Sequence, residues 1–188
     1  QTRLQLFETG QGFTVNGQKI DHTPLIAGLL VGQRSAESWL SGRDTNVQKS
    51  QSTDVFDFYD IKSHVESLLA LRGQAGVKSD VRFVANTDAS PVTALHPGQS
   101  AKVYLGDVLV GYVGLLHPEL LKKLDVEQEI WVFELQLNLI SVKKVPKFKE
   151  LSKFPEVRRD LAIIVDGSVA AGEVVACARE AATEHLVS

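Results

Sequence analysis

The densest chemistry in this 188-residue chain is a run of cations. Between residues 143 and 160 stand Lys143, Lys144, Lys147, Lys149, Lys153, Arg158 and Arg159, against three acids, while the whole chain carries a net charge of −3. Seven cations at this density either form a solvated face or contact phosphates, since Lys and Arg contacts drive salt-dependent binding to a polyanion. Other reactive groups are sparse. His22, His64, His96, His117 and His185 are scattered without the short spacings of a metal site. His96 and His117 each precede a proline, which suits support of a turn and of a helix start. Cys177 is the single cysteine, so no internal disulfide forms, and it falls on the apolar face of an expected helix, where a packed thiol is the expectation. Gly106, Gly111 and Gly114 sit in expected strands and a turn rather than in a phosphate loop.

The elements that must position these groups read as follows. Residues 94–121, ALHPGQSAKVYLGDVLVGYVGLLHPELL, are expected to form a turn at Pro97-Gly98, a hairpin closed by Gly106-Asp107, and a short helix opened by His117-Pro118-Glu119. VLVGYVGLL is apolar at nearly every position, as in a strand covered on both faces. Upstream, residues 2–8 alternate as a strand that Gly10 and Gly12 are expected to break, with a short return strand ending at Asn16-Gly17. Residues 24–31, PLIAGLLV, read as a central strand, and residues 35–42 as a short capped helix before a polar loop over 41–53. Residues 57–72 form the clearest helix: Phe58, Ile61, Val65, Leu68 and Leu69 lie on one stripe, with Asp54 or Asp57 as cap and Gly73 as stop. VRFVA and EIWVFELQL are further strands, the latter with Trp131, Phe133 and Leu135 on one face.

Hairpins and meanders interrupted by a few helices are the grammar of an α+β fold built on an antiparallel sheet with flanking helices. After a lysine-rich linker, a second pattern starts at Leu151: a strand LAIIV, a turn at Asp166-Gly167, and a helix GEVVACAREAA with Val174, Val175, Cys177 and Ala178 inward. One strand and one helix bury too little to stand as a domain. Together with an initial Gln and the lack of methionine, this suggests a piece of a longer protein. No apolar run approaches the ~20 residues that span a bilayer.

Several short segments, in order, resemble the bacterial phenylalanyl-tRNA synthetase β subunit near its C-terminal end. They are Phe7-Glu8-Thr9-Gly10, Phe58-Tyr59-Asp60-Ile61-Lys62, Ala94 to Ala101, Gly111 to Glu119, Phe133-Glu134-Leu135, and Ser152 to Ala162. The resemblance implies a class II synthetase core-like, non-catalytic domain over residues 1–146. It implies over 147–188 a linker and the start of a ferredoxin-like anticodon-binding domain. It further implies an α2β2 heterotetramer with the synthetase α subunit, tRNA(Phe) as partner, a cytoplasmic location without membrane, and ATP and Mg2+ as needs of the holoenzyme rather than of this piece. On that reading the basic run Lys143–Arg159 faces tRNA. The alternative is a stand-alone regulatory or RNA-binding module that reuses the fold.

The residues agree with a silent site. A class II site grips ATP phosphates with arginines, whose guanidinium fork matches phosphate oxygens. Two residues before Glu8, where the family's second motif has Arg, stands Leu6, and no arginine occurs from Phe83 to Val157 to serve the third motif. No metal or catalytic residue is expected in this chain.

Overall fold

The computed structural model describes residues 3–35, 54–71, 81–86, 94–141, 157 and 159–182. These fall in two compact units, one within residues 1–148 and the other within 149–188.

The first unit is a six-stranded antiparallel sheet in the order β1-β2-β6-β5-β4-β3. Its strands are β1 (Arg3–Asn16), β2 (Lys19–Gly32), β3 (Val81–Ala85), β4 (Leu95–Leu105), β5 (Val108–Leu116) and β6 (Ile130–Gln136). Helices α1 (Phe58–Ala70), α2 (Pro118–Lys123) and α3 (Leu137–Ile140) accompany it. The hairpin β4–β5 occupies inner positions, and β6 fits between β5 and β2.

One face of the sheet packs on α1. Alternation along the strands sends Ile26 and Leu30, Ala101 and Val103, Val113 and Leu115, and Trp131 and Leu135 to that face. Ile61, Val65 and Leu69 of α1 meet them, spaced at i, i+4 and i+8 and at most 4% exposed. Burying three such side chains stabilises the fold by roughly 5–9 kcal/mol. The start of α1 is closed by a capping box: Asp57 accepts from the Tyr59 and Asp60 amides, and Asp60 accepts from the Asp57 amide at 2.8 Å. Of the two candidate caps, Asp57 therefore takes the role. The Asp54 carbonyl instead accepts from the Arg34 amide, and its carboxylate accepts from Ser35 Oγ.

Two expectations about strands are corrected. Gly10 and Gly12 do not break the first strand: β1 runs unbroken for 14 residues and pairs with β2 from Arg3↔Gly32 to Asn16↔Lys19. Gly10 has open space where a side chain would stand, whereas a Cβ on Gly12 would lie 2.9 Å from Leu25 Cδ1, so that glycine makes room for a cross-strand leucine. Pro97-Gly98 does not precede β4 but lies inside it, where the pairing with β5 shifts register between Leu95 and Ser100. The proline is tolerated there because a bulge removes the need for its missing N–H. The turn at Gly17, with φ +66°, and the turn at Gly106, with φ +60°, close their hairpins as expected.

Close approach explains the glycines of β5. A Cβ on Gly111 would lie 2.0 Å from the Glu134 carbonyl oxygen and 2.8 Å from Leu135 Cα, both on the neighbouring β6. One on Gly114 would meet Ser100 Cβ at 2.5 Å.

In the second unit the turn at Asp166 is present: its carboxylate accepts from the Ser168 amide at 2.9 Å and from Ser168 Oγ at 2.7 Å. Those two bonds hold the Asp166 carboxyl below the usual carboxylate range. Helix α4 (Ala171–Ala181) is also present. The expected strand LAIIV is not: Leu161–Val165 pairs with no strand among the described residues, and Leu161 and Ile164 are largely open to solvent. A strand exists only through its hydrogen-bonded neighbour. Among the described residues α4 buries no residue, and Cys177, expected inward, is exposed.

Candidate functional site

The expected site residues are mostly out of view. Lys143, Lys144, Lys147, Lys149, Lys153 and Arg158 lie outside the described residues, as do the expected short helix at 35–42 beyond Ser35, the loop at 41–53 and His185. Arg159 is described and is exposed.

The recognisable motifs serve the fold. His96 Nδ1 accepts from the Gly98 amide at 3.1 Å, and Ser100 Oγ donates to the His96 carbonyl, so the HPGQS segment closes its own bulge. His117 Nδ1 accepts from the Glu119 amide and caps α2, with Pro118 at the first helical position. Asp60 sits third in α1, where it completes the capping box and receives a two-pronged contact from Arg34. Arg34 Nε reaches its Oδ1 at 3.0 Å and Nη2 reaches Oδ2 at 2.9 Å. The same Nη2 donates to Asp57 Oδ2 at 2.8 Å. Partial burial pushes the Asp60 carboxyl up, but the Arg34 hydrogen bonds, with the Asp57 amide, prevail and hold it below the usual range. Lys62 pairs with Glu66 and lies over the Phe83 ring, 4.8 Å from its centroid. No group of three or more His, Cys, Asp or Glu among the described residues is arranged to hold a metal ion.

The sheet face away from α1 holds a cavity of about 590 Å³. Its walls come from β1, β2, β5 and β6 and from the start of β4. Register puts the key residues in two neighbouring rows. Leu6 pairs with Leu29, which pairs with Val132; Glu8 pairs with Ala27, which pairs with Glu134, which pairs with Tyr112. Among the described residues the lining is otherwise apolar and contains no lysine, arginine or histidine. Leu6 is one wall of the cavity. The sequence flagged Leu6 and Glu8 by their place before Gly10. The segments holding Tyr112 and Glu134 stand out in it too, but not their meeting with Leu6 and Glu8, because which strands become neighbours across a sheet is not written in local pattern.

The comparisons with known proteins bear on this arrangement. A family model described as the phenylalanyl tRNA synthetase beta chain CLM domain matches residues 1–137. The chain is 41% identical over 186 residues to the phenylalanine–tRNA ligase beta subunit of Pseudomonas fluorescens (strain Pf0-1), covering 99% of this chain and 21% of that one. It is 38% identical over 190 residues to the same subunit of Photorhabdus laumondii, covering all of this chain and 22% of that one. The chain belongs to the phenylalanine–tRNA ligase β-subunit family. It spans about a fifth of the length of the curated β subunits it matches. A solved pyrrolysyl tRNA synthetase from Desulfitobacterium hafniense overlays 73% of this chain and 40% of its own, with TM-score 0.42 and 13% identity, a distant likeness. The described motif residues act as caps, bulge closures and clamps, and the cavity is lined in part by residues of the motif segments, Glu8, Tyr112 and Glu134 among them.

Proposed function

We propose that this module serves phenylalanine–tRNA ligase as a non-ligating framework: a synthetase-type sheet that positions partners and leaves amino acid activation to the α subunit. The observation that carries the reading is the chemistry of the cavity. A nucleotide triphosphate brings several negative charges that need guanidinium or ammonium partners. Here the described lining offers the carboxylates Glu8 and Glu134 and no cation. Two like charges facing a polyphosphate oppose binding, and Leu6 gives neither a hydrogen bond nor a charge in their place. Carboxylates can hold Mg2+, but the described lining has no cationic side chain for the triphosphate itself, so no reaction step is assigned to these residues.

The holoenzyme on this reading joins the module to the synthetase α subunit in an α2β2 assembly and charges tRNA(Phe) in the cytoplasm with ATP and Mg2+. The basic run at 143–159 would meet tRNA phosphates, and residues from 147 onward would begin a ferredoxin-like anticodon-binding domain. Among the described residues no helix is long and apolar enough to cross a membrane. Titration calorimetry of the chain with Mg-ATP tests the reading: no heat of binding is expected below millimolar nucleotide, and a micromolar dissociation constant would overturn it.

A further inference from the structure

The cavity that suits a nucleotide so poorly suits a ligand of opposite charge. We propose that it binds an organic ammonium ion with an apolar body, such as an arylalkyl or alkyl monoamine.

Its volume of about 590 Å³ lies within the range of small-molecule sites, which are lined mainly by apolar groups with a few placed polar ones. Leu29, Val132, Leu95 and Leu116 supply the apolar wall. Glu8 and Glu134 flank Ala27 in one cross-strand row, on strands one removed from each other, so their Cα atoms are about 10 Å apart. A cation held above the small Ala27 side chain lies between the two carboxylates. Tyr112, directly across from Glu134, adds a hydroxyl and a ring face that also attracts a cation. Neither glutamate has an ion pair or side-chain hydrogen bond among the described residues, so both remain available. The next cation in this row, Lys102, stands beyond Tyr112, does not line the cavity, and has a partner of its own. The net charge of the described lining thus selects the sign of the ligand, and its apolar wall selects an amphiphile over a bare metal ion or a hydrophilic amine. The ligase reading neither requires nor forbids such a ligand.

The test is a titration of the full chain, by NMR or calorimetry, with three isosteres: 2-phenylethylammonium, 2-phenylethanol and 3-phenylpropionate. The amine is expected to bind with a dissociation constant below about 1 mM, because a charge-assisted hydrogen bond adds to apolar burial. The alcohol should bind at least about tenfold more weakly, and the acid should show no binding at about 10 mM, since each 1.4 kcal/mol of charge interaction is a factor of ten. Glu8→Gln together with Glu134→Gln should bring the amine down to the affinity of the alcohol. Both positions are exposed, and an unchanged melting temperature would verify that the variant is folded. Failure of the amine to bind, equal affinity for amine and alcohol, or an unaltered amine affinity in the double variant would each overturn the proposal. Those results would leave the ligase reading standing, because that reading is decided by Mg-ATP binding and by association with the α subunit.

Discussion

Gly111 gives the sharpest test of how the sheet is built. Replacing it with alanine places a methyl group 2.0 Å from the Glu134 carbonyl oxygen, where ordinary contact starts at 3.4 Å. The inner strands β5 and β6 must then part by roughly 1.4 Å, or the backbone must twist, since the obstacle is main chain and cannot rotate aside. A separation of that size stretches hydrogen bonds of about 2.9 Å beyond their useful range. Losing two such bonds costs about 1 kcal/mol each, and overpacking adds about 1–3 kcal/mol. The total, about 3–5 kcal/mol, is a large part of the 5–15 kcal/mol typical of a folded domain. Urea unfolding followed by tryptophan fluorescence measures it. With a slope of about 2 kcal/mol per molar, Gly111→Ala should lower the midpoint by about 2 M, or leave no folded baseline. Gly10→Ala is the control: nothing lies within 4 Å of its Cβ position, so the midpoint should hold or rise slightly. A Gly111→Ala midpoint within 0.5 M of the parent, roughly 1 kcal/mol at that slope, would refute the close-approach argument.

Three further outcomes are expected. Asp60 has a lowered carboxyl pKa, so its stabilising effect is complete above the ordinary value of about 4 and is lost as pH falls below it through the folded-state value. Stability of the parent measured from pH 5 to pH 2 should therefore fall more steeply than that of Arg34→Met; parallel curves would rule out Arg34 as the cause. In the full α–β complex, alanine at Lys143, Lys144, Lys147 and Lys149 together should flatten the salt dependence of tRNA binding by up to about 3 in log–log slope, and an unchanged slope would remove these lysines from the contact. Amide exchange at 159–182 should be much faster than at 101–116, because the former residues are open to solvent and the latter belong to the inner hairpin; equal protection would contradict the structure.

What could be read in advance followed from local chemistry. The α1 stripe needs only a 3.6-residue period, and Ile61, Val65 and Leu69 are buried as that period requires. The β4–β5 hairpin announces itself through Gly106-Asp107, and α2 through His117-Pro118. Glycine misled where its role was packing rather than turning: Gly12 lies inside a 14-residue strand because Leu25 needs the space. Pro97 misled because a bulge lets proline stay within a strand. LAIIV has the composition of a strand but pairs with none among the described residues, and composition cannot supply a neighbour. The cavity was half legible: Glu8, Tyr112 and Glu134 each stand in a recognisable segment, with Leu6 just before one, but they meet only because β6 inserts beside β2, a pairing between segments about a hundred residues apart.

The framework reading stands or falls on whether this sheet can activate an amino acid unaided. ATP–pyrophosphate exchange with phenylalanine, run on the chain alone, asks that directly. The account predicts no phenylalanine-dependent exchange above background. Phenylalanine-dependent exchange by the chain in the absence of any α subunit would contradict it.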